Sequence, residues 1–362
     1  MKKILIILLT VFIFLGLSFY IYKTYPLNKE NNSKYSEKVI TIMEELKIKD
    51  IVNHDKHSKT LEEMLLNNMY DINFIKEYEN IDYIEKNNFL NNVNNLLEKG
   101  YNAKEVNNIF NKLSDTNINK LVNTNYQKLE DFYEIKNFDV DNLERYNTYK
   151  DDKNITTQDA VTQVNIGLDH DYYTETKEVE NPDDITVLVN KFNYLSEDYE
   201  PNDLVSLSNG SQFKLRKVAA VAYEELIKYA SDNGVDVIPF SGYRSYDTQK
   251  VIYNSHVNKN GREKADTYSA RPGHSEHQLG LAVDIKSKDY ELKRLTKEDA
   301  EWINKNCSKF GFIVRYTKED EYITGYMEET WHLRYVGESI ATEVMNLGIT
   351  YDEYYDLYLT KY

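Results

Sequence analysis

Ser275-Glu-His-Gln-Leu-Gly-Leu-Ala-Val-Asp284 is the stretch on which the reading of this chain turns. A polar, Gly-rich loop over residues 259–280 leads into it, and Leu281 to Ile285 reads as a short buried strand. Asp284 sits between Val283 and Ile285, so a carboxylate buried there needs a partner, and a metal ion is one. His277 lies seven positions earlier, a spacing that fits no single helix face but allows both side chains to meet where a loop enters a strand. Gly280 and Ala282 between them leave room for the backbone to pass close to an ion. Glu329-Thr-Trp-His332 adds a second imidazole at the start of a further strand. Two imidazoles and a carboxylate are the ligand types of an open zinc site, in which the fourth position is kept for a water that the metal acidifies. Taken singly, an Asp capping a turn or a His held by a carbonyl is the commoner case. Taken together with Glu329, the set points to a metallohydrolase.

Working outward, Glu329 stands close enough to reach a metal-bound water without binding the metal, as a general base. Its neighbour Glu328 is turned differently by strand alternation and is the rival. Trp331 packs as a wall beside the site or stacks on substrate, and His274 lines the loop. Upstream, Val235 to Phe240 reads as a strand that opens into Ser241-Gly-Tyr-Arg-Ser245. Arg244 in that turn can bind a substrate carboxylate or a developing oxyanion. Gln249, on the helix that Ser245 caps, faces the same cleft, and Ser275 either bonds a substrate peptide group or shapes the turn before His277.

Around this centre, strands are expected at Val161–Ile166, Ile185–Val189, Phe312–Arg315 and His332–Val336. Helices are expected at Ser211–Asn233, from Ser245 to about Asn258, and from Thr296 to Gly311. Strands and helices without a βαβ rhythm imply an α+β fold over residues 160–362. Residues 37–155 have helical periodicity, as in Leu61, Met64, Leu65 and Met69, and read as a helical spacer or interaction region whose partner nothing identifies. No internal repeat is evident there, and His54 and His57 read as solvated. Residues 1–23 hold Lys2 and Lys3 before an uncharged run from Ile4 to Tyr22, long enough to cross a bilayer, with a linker over 24–36. The expectation is an uncleaved, single-pass N-terminal signal-anchor in the cell membrane, with the catalytic region outside on the cell-wall side.

A formal net charge of −16 excludes nucleic acid as a partner, because phosphate neutralisation needs a basic surface. With a single cysteine, Cys307, no disulfide forms within the chain and cysteine-ligated zinc is excluded.

Ser241-Gly-Tyr-Arg-Ser245 with Gln249, then Ser275-x-His277-x-x-Gly280-x-Ala282-x-Asp284, then Glu329-x-Trp-His332, resembles the VanY-type D-alanyl-D-alanine carboxypeptidases of the M15 zinc peptidases. The resemblance covers about residues 160–350 and leaves the helical region unaccounted for. It implies a small antiparallel sheet flanked by helices, one Zn²⁺ on His277, Asp284 and His332, and Glu329 as catalytic base. It also implies substrate contacts from Arg244, Gln249 and Ser275, and peptidoglycan stem peptides as substrate. The bond cut is then the terminal D,D- or L,D-amide. A D,D-dipeptidase, a stem-peptide endopeptidase, or a wall-binding protein with structural zinc are the rival readings.

Overall fold

The structure is a computed structural model that describes residues 33–124, 132–291 and 294–360. The chain divides into two compact units, Met1–Glu134 and Ile135–Tyr362.

The first unit is helical, with α1 (Glu37–Glu45), α2 (Lys59–Leu66), α3 (Ile75–Tyr78), α4 (Phe89–Glu98), α5 (Ala103–Lys112) and α6 (Asp115–Asn123) among its described residues. The side chains of Ser58, Asn102 and Ser114 accept the amide three residues on and start α2, α5 and α6. Apolar residues at helical spacing then bury one face, as with Leu61, Met64 and Leu65 of α2 and Val93, Leu96 and Leu97 of α4. Helices α1, α2 and α4 all end in the same way. A left-handed residue (Lys47, Asn68, Gly100) is followed by an apolar one whose N–H reaches five residues back. These bonds run from Ile48 to Met43, Met69 to Met64 and Tyr101 to Leu96, at 2.9, 2.9 and 3.2 Å. Successive segments are tied at a nearly constant spacing: Asn94 to Met69 O, Glu77 to Ala103 N and Asn107 to Asn80 O lie 25, 26 and 27 residues apart. A helix–turn–helix motif therefore recurs, where the sequence made no repeat evident. The periodicity lies in the backbone turn and the cross-links, and the residues that fill those positions differ.

In the second unit, α7 (Leu143–Lys153) and α8 (Thr157–Asn165) pack together, so the domain limit expected near residue 155–160 falls inside this unit. The strand expected at Val161–Ile166 is instead helix α8. Thr156 caps it through Asp159 N, and Ala160, Val161 and Val164 line its buried face. Two short pairs follow, β1 (Lys177–Glu178) with β2 (Asn193–Tyr194) and β3 (Leu204–Leu207) with β4 (Gly210–Arg216). Residues 211–216 are thus a hairpin strand where a helix start was expected. Their alternation of Phe213 and Leu215 with polar residues fits a period of two, and α9 (Lys217–Asp232) begins only after it. Ile185–Val189 forms no strand. The guanidinium of Arg334 takes the carbonyls of Ile185 and Val187 (3.1 and 2.7 Å) that a neighbouring strand would otherwise pair.

The main sheet is antiparallel, with β5 (Val237–Ser241), β6 (Ala282–Ser287), β8 (Glu329–Tyr335) and β7 (Phe312–Tyr316) side by side in that order. Val283, Ile285 and Leu333 pack with Phe312 against α9 residues such as Tyr223 and Leu226, and with Ile303 of α12 (Lys297–Asn306). Helix α13 (Glu338–Leu347) joins Ile313 and Val336 in a second cluster. Between β5 and β6 lie α10 (Tyr246–Asn260), which Ser245 caps, and the short α11 (Arg262–Asp266). The α+β expectation with a small antiparallel sheet flanked by helices holds for this unit.

The expectation of a single-pass membrane protein needs correction. Among the described residues no helix is long and apolar enough to cross a membrane. The run from Ile4 to Tyr22 on which the anchor rested lies outside the described residues. The anchor, the membrane as a partner and the cell-surface location that followed from it are withdrawn.

Candidate active site

Sheet register brings the sequence motifs together. Asp284 on β6 lies directly across from His332 on β8, and Ser241 at the end of β5 pairs with Asp284 on its other side. Val283 and Leu333 turn into the core, so Asp284 and His332 turn to the opposite face as a cross-strand pair. His277 arrives on a 3₁₀ turn (Glu276–Leu279) just before β6, its Nδ1 2.7 Å from Gly242 O and its carbonyl accepting from Arg244 N. The ligand turn is thereby fastened to the Arg244 turn.

The result is a buried triad. His277 Nε2 lies 3.2 Å from Asp284 Oδ2, and His332 Nδ1 lies 3.0 Å from Asp284 Oδ1. One ligand atom from each residue falls within 4.8 Å of the others, close enough to share one ion. His277 Nε2 has no hydrogen-bond partner although it is buried, the orphaned atom expected where a metal supplies the missing bond. Burial lowers the His277 imidazole to about 4, with Arg244 adding to the effect. Burial opposes ionisation of Asp284, yet His277 and His332 hold its carboxyl well below the usual range. A neutral imidazole and a carboxylate are the forms that bind metal, and the donor set suits zinc.

Glu329 opens β8 with Oε2 4.0 Å from His332 Nδ1. Burial raises its carboxyl to about 7, and Asp284 adds to the rise against His332 and Arg244. Glu328 is exposed, its amide bound to Glu321. Arg244 reaches Asp284 Oδ2 at 3.7 Å, and its NH1 donates to Gln249 Oε1 at 2.9 Å. Gln249 gives its amide to Ala270 O at 2.7 Å, so both ends of its side chain are engaged in orienting Arg244 and closing the loop. Arg244, Gln249, Ser275, Glu329 and Trp331 all line one cavity of about 220 Å³ with the triad. His274 turns away, its Nδ1 2.8 Å from Asn190 O. Gly280 also meets a packing demand: at φ +66 a Cβ there would stand 2.8 Å from Leu204 Cδ2.

Other residues at the site carried no legible signal in the sequence. Glu276, between Ser275 and His277, is buried against His332 Nε2 at 3.1 Å. His256 lines the cavity with an unpartnered Nδ1, its ring 5.1 Å from that of Tyr268. Tyr326 forms part of the wall and shares a 3.0 Å hydrogen bond with Tyr173. Beneath it the Lys191 ammonium stands 4.1 Å from the Tyr326 ring and 4.9 Å from those of Tyr172 and Tyr173. Burial lowers Lys191 to about 8.

Three side chains able to hold one ion, with a buried acid beside them on an antiparallel sheet, suit a metallohydrolase. The signature of the VanY family, D-alanyl-D-alanine carboxypeptidase, matches residues 212–338. YodJ of Bacillus subtilis (strain 168), which bears a carboxypeptidase name, is 39% identical over 223 residues, 57% of this chain and 80% of that protein. The chain belongs to the VanY family of zinc peptidases, and zinc is its metal. A D-alanyl-D-alanine carboxypeptidase of Enterococcus faecalis (strain ATCC 700802 / V583) is 36% identical over 46% of this chain and 64% of that protein. Of solved structures, the LdcB LD-carboxypeptidase shares 39% identity over 51% of this chain and 91% of its own, at a TM-score of 0.47.

Proposed function

We propose that the chain is a carboxypeptidase that removes the C-terminal D-alanine from peptidoglycan stem peptides. The observation that carries this reading is the meeting of Glu329, Arg244 and the His277–Asp284–His332 cluster in one cavity of about 220 Å³, a space suited to the end of a peptide. The substrate class rests on the relatives, which are named for D-alanyl-D-alanine.

Zinc, when bound by His277, Asp284 and His332, supplies a Lewis acid that polarises the scissile carbonyl and acidifies a water. Glu329, raised toward neutrality by burial, takes a proton from the attacking water and returns it to the leaving amine. Arg244, held by Gln249, faces the negative charge of the substrate, at the terminal carboxylate or at the carbonyl oxygen as it becomes an oxyanion. Ser275 and Trp331 flank the peptide, Ser275 with its hydroxyl and Trp331 with its ring.

The test is to incubate the zinc-loaded protein with tetra- and pentapeptide stems and identify the products by mass spectrometry. Release of single D-alanine is expected. Release of a dipeptide, or cleavage within the stem, would replace the carboxypeptidase reading with a dipeptidase or an endopeptidase one. Glu329→Gln should lower turnover by about 10²–10⁴-fold with zinc still bound; a variant that turns over at the parent rate would refute the base assignment.

A further inference from the structure

On the side of His332 away from Asp284 lies a carboxylate that the proposed reaction does not use. Glu276 Oε2 stands 3.1 Å from His332 Nε2, while its other oxygen accepts from Arg315 Nε at 2.9 Å and from Arg334 NH1 at 3.0 Å. Arg315 in turn meets Asp352 at 2.8 Å, and Asp352 accepts from Asn190 at 2.7 Å. The side chains of Glu276 and Arg334 have no solvent exposure.

This arrangement constrains the imidazole. His332 Nδ1 faces Asp284 at 3.0 Å and His277 beyond it, so Nδ1 is the nitrogen that would meet a metal. A neutral imidazole that offers Nδ1 as a lone pair carries its proton on Nε2, and a buried N–H there needs an acceptor. Glu276 Oε2, 3.1 Å away, is the acceptor at that atom. A carboxylate required only to offset Arg315 and Arg334 would have no reason to direct its second oxygen at the ring.

We propose that Glu276 is a positioning residue for His332: it accepts the hydrogen bond from Nε2–H, fixes the tautomer that leaves Nδ1 for the metal, and is itself held in place by Arg315 and Arg334. This inference rests on the metal-centre reading above. Outer-sphere carboxylates of this kind are typically worth 10–100-fold in metal affinity.

The test uses the full chain and reads metal binding and not turnover. Zinc affinity is measured by competition with a chelator for the parent, Glu276→Gln and Asp352→Asn. Asp352→Asn weakens the far end of the ion network without touching His332, and so reports the cost of a merely structural lesion. Glu276→Gln is expected to bind zinc about 10–100-fold more weakly and to alter the absorption spectrum of the Co²⁺-substituted protein. Asp352→Asn is expected to melt earlier while keeping parental zinc affinity. Equal zinc affinity in parent and Glu276→Gln, or an equal loss in Asp352→Asn, would overturn the proposal. Nitrogen NMR of ¹⁵N-histidine in the zinc-loaded parent needs no variant to fold: it should place the His332 proton on Nε2 and the metal on Nδ1, and the reverse assignment would also overturn it. A parent that binds no zinc would instead remove the metal reading itself, and this inference with it.

Discussion

In the helical unit, several links between neighbouring segments are bonds from a side-chain amide to a carbonyl. Asn94 donates to Met69 O at 2.6 Å, and Asn107 donates to Asn80 O at 2.9 Å. In the catalytic unit the comparable buried positions behind the sheet hold full charges, with Glu276, Arg315, Arg334 and Asp352 each no more than 3% exposed. The two choices differ in what they demand of their partners. An amide link lost at a surface-accessible seam is replaced by water at a cost of about 1 kcal/mol. A buried charge that loses its partner has no such substitute, and the penalty is several kcal/mol. Loss of one amide link is therefore expected to cost the helical unit less than loss of one charge costs the catalytic unit. The charged set stands beside the three candidate metal ligands and the acid that share one small cavity.

The sharpest way to break this comparison is Arg334→Met. Arg334 binds Glu276 and also caps the carbonyls of Ile185 and Val187, so its loss removes one of the two guanidinium partners of Glu276, beside Arg315, and the side-chain donors of two carbonyls. Urea unfolding should show a loss of about 3–5 kcal/mol. A loss below about 1 kcal/mol would mean that the catalytic unit tolerates broken charges as the helical unit tolerates broken amides.

Lys191 tests the same idea through pH. Unfolded, its ammonium keeps the proton to 10.5, while the folded, buried group releases it at about 8. Between those values the unfolded chain binds more protons, so this lysine's contribution to stability rises with pH across the window and is flat below it. The stability difference between parent and Lys191→Met should therefore shift in favour of the parent by up to roughly 3 kcal/mol from pH 8 to pH 10.5. The neighbouring tyrosines are common to both proteins and cancel in the difference. A pH-independent difference in urea unfolding would show that Lys191 keeps its proton in the tyrosine cage.

How much of this was legible in the sequence follows from the same contrast. His277, Asp284 and His332 could be singled out as candidate ligands because metal ligation needs particular residue types, and the fold brings the three together. Glu276 could not be read: an acidic residue beside a loop histidine has the appearance of a solvated one, and only the arrival of Arg315 on β7 and Arg334 on β8 reveals its burial. The hairpin at residues 204–216 and helix α8 were misassigned because apolar residues at mixed spacing fit either period over short windows. In the helical unit, Leu61, Met64 and Leu65 announced a helix, but the repeat stayed hidden. Its defining position is a left-handed turn that Lys47, Asn68 and Gly100 fill alike, and although Gly and Asn favour that angle Lys does not, so no single residue type marks the repeat.

The smallest expected effect sharpens the other side of the comparison. Asn102 starts α5 with a reciprocal pair of bonds: its side chain accepts from Glu105 N at 3.1 Å, and Glu105 returns to Asn102 N at 2.9 Å. Asn102→Ala removes one half of that box at an exposed position, where water can reach the freed amide. The expected loss is about 1 kcal/mol, and it should leave zinc affinity unchanged, because the box lies within a unit that contains none of the ligands. Urea unfolding and chelator competition on the same variant read the two quantities together. A loss of several kcal/mol would show that the repeat unfolds as one body once a single cap is gone, and that its segments are more cooperative than their exchangeable amide links imply.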